Sequence, residues 1–142
     1  MTYTSLAALV RRFGETFLVT ITDRGTVPTG TVDQAVVDQA LADTDAVINA
    51  SLLSRYRLPL VEVPALVSDL ALSIAIYKLH VFAPDPKIKD DYDQALKDLR
   101  DLATGMKKLD VAGIEPATSG AGGVMATDRV RPLTPETLHG FI

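Results

Sequence analysis

The sequence predicts an all-α protein: a small bundle of about four to five helices around a central apolar helix, followed by an extended glycine-rich C-terminal arm. Apolar residues recur at steps of three and four in successive stretches, which is helical rather than strand spacing. One of those stretches, Val63 to Phe82, is apolar on nearly every face, as in a helix surrounded by others. Glycine and proline fall between the stretches rather than within them. With 142 residues, 47% apolar and 23% charged, the chain suits a single folded body, placed at residues 1–109, with the arm at 110–142.

The first helix is expected over Ser5–Phe13, with Leu6, Leu9, Val10 and Phe13 on one face, Thr4 or Ser5 as its cap and Gly14 closing it. The next segment, ETFLVTIT, has the β-branched content of a strand. Phe17, Leu18 and Ile21 nevertheless share a helical face, and a short helix is the reading adopted. DRGTVPTGT, with two glycines and a proline, is a loop. Thr31 and Gln34 resemble a capping box that starts a helix from Val32 to Leu53. Its buried stripe is Val37, Leu41, Thr44, Ile48 and Leu52, thickened by Val36, Ala40 and Val47. Asp33 and Asp38 lie towards its positive end, and Arg55 and Arg57 just past its negative end.

Pro59 stiffens the turn that follows, and Pro64 is suited to the first turn of the central helix, Ala65 to Phe82. Asp69, Ser73 and His80 form its one polar edge, and Ala83-Pro84-Asp85-Pro86 ends it. The last helix is expected from Pro86 to Lys108, with Ile88, Tyr92, Ala95, Leu99, Leu102, Met106 and Leu109 in an alternating seam and Asp93 paired with Lys97. Beyond Leu109 the chain is rich in Gly, Ala, Ser and Thr without periodicity. Apolar residues return in the closing DRVRPLTPETLHGFI.

Composition narrows the function. A net charge of −4 argues against nucleic acid as the main partner. The absence of cysteine excludes disulfides, thiolate nucleophiles and cysteine zinc sites. No signal peptide is expected at the N-terminus. Asp69, Lys78 and His80 make the apolar window too polar for a membrane span. The carboxylates of KDDYD point in different directions on a helix and suit a solvated first turn better than a magnesium site. SGAGGV lacks the strand, helix and lysine of a phosphate loop. His80 has no neighbouring nucleophile or second ligand, and is expected to bond Asp69 or backbone. No catalytic residue, cofactor or metal site is expected.

One stretch, INASLLSRYRLPLVEVPALVSDLALSIAIYKL, carries a resemblance. An acidic helix ends in an apolar pair, followed by Arg-Tyr, Leu-Pro-Leu and a Val-Pro start to an apolar helix. This resembles the Mu-like phage and prophage head–tail connector family. TYTSLAALVRRFGETFLVTITDR is similar to that family's opening, with its Arg-Phe-Gly and Thr-Asp-Arg turn, and VVDQALADTDAVINASL to its acidic second helix. RPLTPETLHGF is loosely similar to its tail, with Leu133 in place of an aromatic.

The resemblance implies a structural, non-enzymatic virion protein: a subunit of a homo-oligomeric ring in the neck, between the portal and a downstream tail-completion or stopper protein, present in host cytoplasm during assembly. On that reading Asp33, Asp38 and Asp43 of one subunit meet Arg55, Tyr56 and Arg57 of the next, and Arg131, Leu133, Leu138 and Phe141 dock the tail on a neighbouring protein. Two plainer readings stand beside it. Tyr56, Leu58 and Leu60 also suit the end of the bundle core. Asp69 and His80 also suit a pocket in a small helical ligand-binding or enzymatic domain.

Overall fold

The structure, a computed structural model, describes residues 1–110. Five helices make up the described residues: α1 (Leu6–Phe13), α2 (Glu15–Thr22), α3 (Gln34–Leu52), α4 (Ala65–Lys78) and α5 (Pro86–Thr104), with no strand among them. The arm at 110–142 lies almost wholly outside the described residues.

α4 is the hub. It packs against α3, α5 and α1, while α3 also touches α5 and α1 touches α2. Its sequence makes this possible, because Val67, Leu70, Ala71, Ile74, Ala75 and Ile76 are apolar around most of its circumference and all are buried. Two clusters of core residues divide its length. Near its start, Val67, Leu70 and Ile74 meet Ile48 and Leu52 of α3 and Leu99 and Leu102 of α5. Near its end, Ala75, Ile76 and Leu79 meet Val37 and Leu41 of α3, Leu9 of α1 and Leu18 of α2. Each buried Leu or Ile contributes about 1.5–3 kcal/mol relative to exposure, so the short helices α1 and α2 are held by tertiary packing rather than by their own length.

α1 begins as expected. Ser5 accepts a bond from the Ala8 N–H at 3.3 Å, and the Gly14 N–H closes the helix on the Val10 carbonyl. ETFLVTIT is helical: Phe17, Leu18, Ile21 and Thr22, at spacings of one, three and four, turn to one side, with Leu18 and Thr22 buried and Phe17 and Ile21 packed beside Leu18.

α3 starts at Gln34 rather than at Val32, and no capping box forms. Asp33 is the cap, accepting from the Ala35 and Val36 N–H groups at 3.0 and 3.3 Å. Gln34 turns the other way and donates to Asp38, while Thr31 shares a bond with Thr29. The short Asp33 carboxylate reaches the free amides from one residue before the helix, and Thr31 lies too early to compete.

α4 also differs at both ends. Pro64 is the cap rather than the first helical residue. The helix stops at Lys78, before the expected Phe82, because its last carbonyls find other donors. The Arg24 guanidinium bonds the Leu79 carbonyl, and the ring nitrogen Nδ1 of His80 lies 2.7 Å from the Ile76 carbonyl. Val81 and Phe82 are left exposed. α5 stops at Gly105, whose φ of 81° breaks the seam. Met106 is consequently exposed, whereas Leu109 folds back into the core. Asp93 pairs with Lys89 at 2.7 Å, one turn earlier than the expected Lys97.

Candidate interaction surface

The segment SRYRLPLVEVP closes one end of the bundle, where the last turns of α3 and α5 meet the first turn of α4. The Leu58–Pro59 peptide bond is cis. Tyr56, expected on the subunit surface, is a core residue only 2% exposed. Its ring packs among Leu52, Leu60 and Leu102 because the chain turns inward directly after α3. Leu60 is buried and Leu58 half-buried, so Tyr56, Leu58 and Leu60 do close the core, while Val61 of the same segment is exposed.

The two arginines behave differently. Arg57 is exposed. Arg55 is half-buried, and its guanidinium lies over Gly105 in the space a Cβ would need. That places a cation at the C-terminal, negative end of α5. Ser54 reaches the same helix end, donating to the Ala103 carbonyl at 3.5 Å. Lys107 adds a bond to Asp98 at 2.6 Å, which holds the Asp98 carboxyl below the usual carboxylate range against the opposing effect of burial.

The acidic partners expected for these arginines lie on α3. Asp33 is at its first turn, and Asp38 and Asp43 follow along an exposed flank. Gln34 and Gln39 each donate to the carboxylate four residues on, at 2.8 Å, and so hold Asp38 and Asp43 in place. α3 has 19 residues, about 28 Å at 1.5 Å per residue. Asp33 and Arg57 therefore sit at opposite ends of the subunit.

Asp69 and His80 do not form a common pocket. α4 runs on from Asp69 to Lys78, about 14 Å of helix axis, before His80 is reached. Asp69 is exposed and paired with Arg12. His80 bonds backbone, as one of its two expected partners, and faces Phe17 with ring centres 5.9 Å apart. It borders a groove of about 560 Å³ with Phe13, Phe17, Pro84 and Ile88, and Asp69 is not part of that lining. No group of three or more His, Cys, Asp or Glu among the described residues is arranged to hold a metal ion. No helix among them is long and apolar enough to cross a membrane.

The Thr-Asp-Arg turn noted in the sequence is a brace at the other end of the bundle. Thr22 donates to the Leu18 carbonyl at 2.7 Å and accepts from the Asp33 N–H at 3.2 Å, tying α2 to the start of α3. Asp23 accepts from the Thr29 and Gly30 N–H groups at 2.9 and 3.0 Å, closing the loop. Arg24 bonds the carbonyls of Ile21 and Leu79, joining α2 to α4. Thr22 and Arg24 join α2 to other helices while Asp23 closes the loop, and periodicity gave no sign of it because nearly all these bonds go to backbone.

A protein-family profile described as Bacteriophage Mu, Gp36 matches residues 3–127. The chain belongs to that family. The match takes in the braced Thr-Asp-Arg turn, all five helices and the SRYRLPLVEVP segment. No curated protein matches the chain. Membership of the Mu Gp36 family makes this a Mu-like phage protein. The match ends before RPLTPETLHGF, and the expected docking residues Arg131, Leu133, Leu138 and Phe141 lie outside the described residues.

Proposed function

We propose that the protein is a head–tail connector subunit, a structural and non-enzymatic component of the virion neck that forms a ring between the portal and a downstream tail protein. Its membership of a Mu phage protein family over residues 3–127 is the observation that carries this reading. The charge layout supports it. Exposed carboxylates at Asp38 and Asp43 and the exposed guanidinium of Arg57 belong to different surfaces of one subunit, as a heterologous ring contact requires. Rim charges of this kind set register and encounter rate more than affinity.

The isolated protein is expected to be monomeric or heterogeneous, and to assemble at high concentration or with its portal. Pull-downs with the portal and tail-completion proteins of the same phage genome test this directly. A protein that captures neither and stays monomeric at every concentration is not a connector.

A further inference from the structure

A groove of about 680 Å³ opens at the SRYRLPLVEVP end of the bundle. One wall is the lead into α4 and its first turn, with Val63, Pro64 and Leu66. The other is the chain that leaves α5, with Leu109. Leu66 is 39% exposed, although Val67 beside it is fully buried. The rim charges, Glu62, Lys108 and Asp110, are mixed in sign and select no partner.

The exit of the chain into this groove is fixed. Leu109 is buried, and its N–H donates to the Tyr56 hydroxyl at 3.4 Å. Lys107 is tied to Asp98 at 2.6 Å. Asp110, the last described residue, stands in the groove wall. The residues that follow it read VAGIEP, and the family match runs on through them to residue 127. Ile114 comes four residues after Asp110, at most about 14 Å of fully extended chain. The next large apolar residue in sequence is Val124, which extended chain could carry about 50 Å away. Of the arm's large apolar side chains, only Val111 and Ile114 are thus confined near these apolar walls. A segment tethered so closely acts at an effective concentration in the millimolar range, and a free partner would have to displace it.

We infer that Val111 and Ile114 of the same chain seat in this groove, against Val63, Pro64 and Leu66, and carry the core on past Leu109. Removal of those apolar surfaces from water drives the seating, and Gly113 leaves the backbone free to bend between the two side chains. The seat decides where the rest of the arm departs. Arg131 comes fifteen residues after Pro116, about 50 Å of extended chain. That exceeds the length of α5, about 28 Å for its 19 residues. The closing apolar stretch can therefore reach a neighbouring protein from a fixed root. The seat itself needs no ring.

The chain has no cysteine, so engineered thiols report the contact without background. Full-length L66C/I114C, oxidised with diamide at micromolar concentration, should close an internal disulfide. The control is M106C/I114C, because Met106 is exposed, is nearer to Ile114 in sequence and does not line the groove. The groove pair should close at least about tenfold faster, since a seated thiol is held at its partner whereas a free arm samples both positions alike. Equal rates overturn the seat. So do disulfide-linked dimers in place of the internal bridge, which would put another copy's arm in the groove. A second readout uses no thiols. Full-length I114D should lower the midpoint of urea unfolding and speed hydrogen exchange at the start of α4, while T118D, just past the segment, should change neither. An I114D variant with an unchanged midpoint and unchanged exchange also overturns the seat.

Discussion

The phenol oxygen of Tyr56 accepts a hydrogen bond from the Leu109 backbone N–H at 3.4 Å, across 53 positions of sequence. It links the turn after α3 to the segment after α5, inside a core that contains both side chains. The point where the described chain ends is thus fastened to the interhelix segment that best marks the family.

This link separates two variants. Tyr56→Phe keeps the ring and loses one hydrogen bond, costing about 0.5–1.5 kcal/mol. Tyr56→Ala removes a buried aromatic and should cost about 3–5 kcal/mol. Urea unfolding monitored by circular dichroism reads both, and equal losses would show that the ring's packing is not what matters.

Gly105 is held at φ 81° with the Arg55 guanidinium where a Cβ would go. Gly105→Ala should destabilise by roughly 1–2 kcal/mol from the left-handed backbone alone, plus the displacement of Arg55. In an Arg55→Ala background only the backbone part should remain. A double-mutant cycle showing strict additivity would contradict the contact.

Thr22→Val keeps the shape of a buried side chain but leaves the Asp33 N–H without the hydroxyl that now accepts from it. The expected loss is about 1–3 kcal/mol, with faster hydrogen exchange at the start of α3 measured by NMR. Unchanged exchange there would remove Thr22 from the brace.

Asp33 caps α3, and the proposed ring contact gives its charge a second role that can be split from the first. Asp33→Asn preserves a good cap and removes the charge, so folding stability should hold while assembly weakens. Asp33→Ala should also lose about 0.5–2 kcal/mol of stability. Arg57→Glu, at an exposed site, should leave stability within about 0.5 kcal/mol and reduce assembly in sedimentation velocity. Assembly that tolerates Arg57→Glu would move the interface elsewhere.

The Asp98–Lys107 bond predicts an acid sensitivity. The Asp98 carboxyl titrates lower in the fold than its ordinary value of about 3.9. Its contribution is therefore present above that value and lost as pH falls through the lower folded pKa. Lys107→Ala should flatten the stability profile in that range, as followed by thermal melts from pH 5 down to pH 2.

The helical periods of α1, α3 and α5 were legible because one face of each is buried and the other wet, and burial writes itself into spacing. Val37, Leu41, Thr44, Ile48 and Leu52 were readable for this reason, and all are buried. The absence of cysteine and the apolar circumference of α4 likewise needed no structure. The ends of the helices were decided by tertiary structure. α4 stops early because Arg24, 55 positions away, bonds Leu79. Arg55 turned towards α5 because Gly105 left room for it. Asp69 and His80 share an edge in sequence, yet each is bound by a group closer in space, Arg12 for one and the Ile76 carbonyl for the other. Periodicity records which face is dry. It carries no record of which distant polar group arrives to satisfy a helix end, and those arrivals shaped both ends of this bundle.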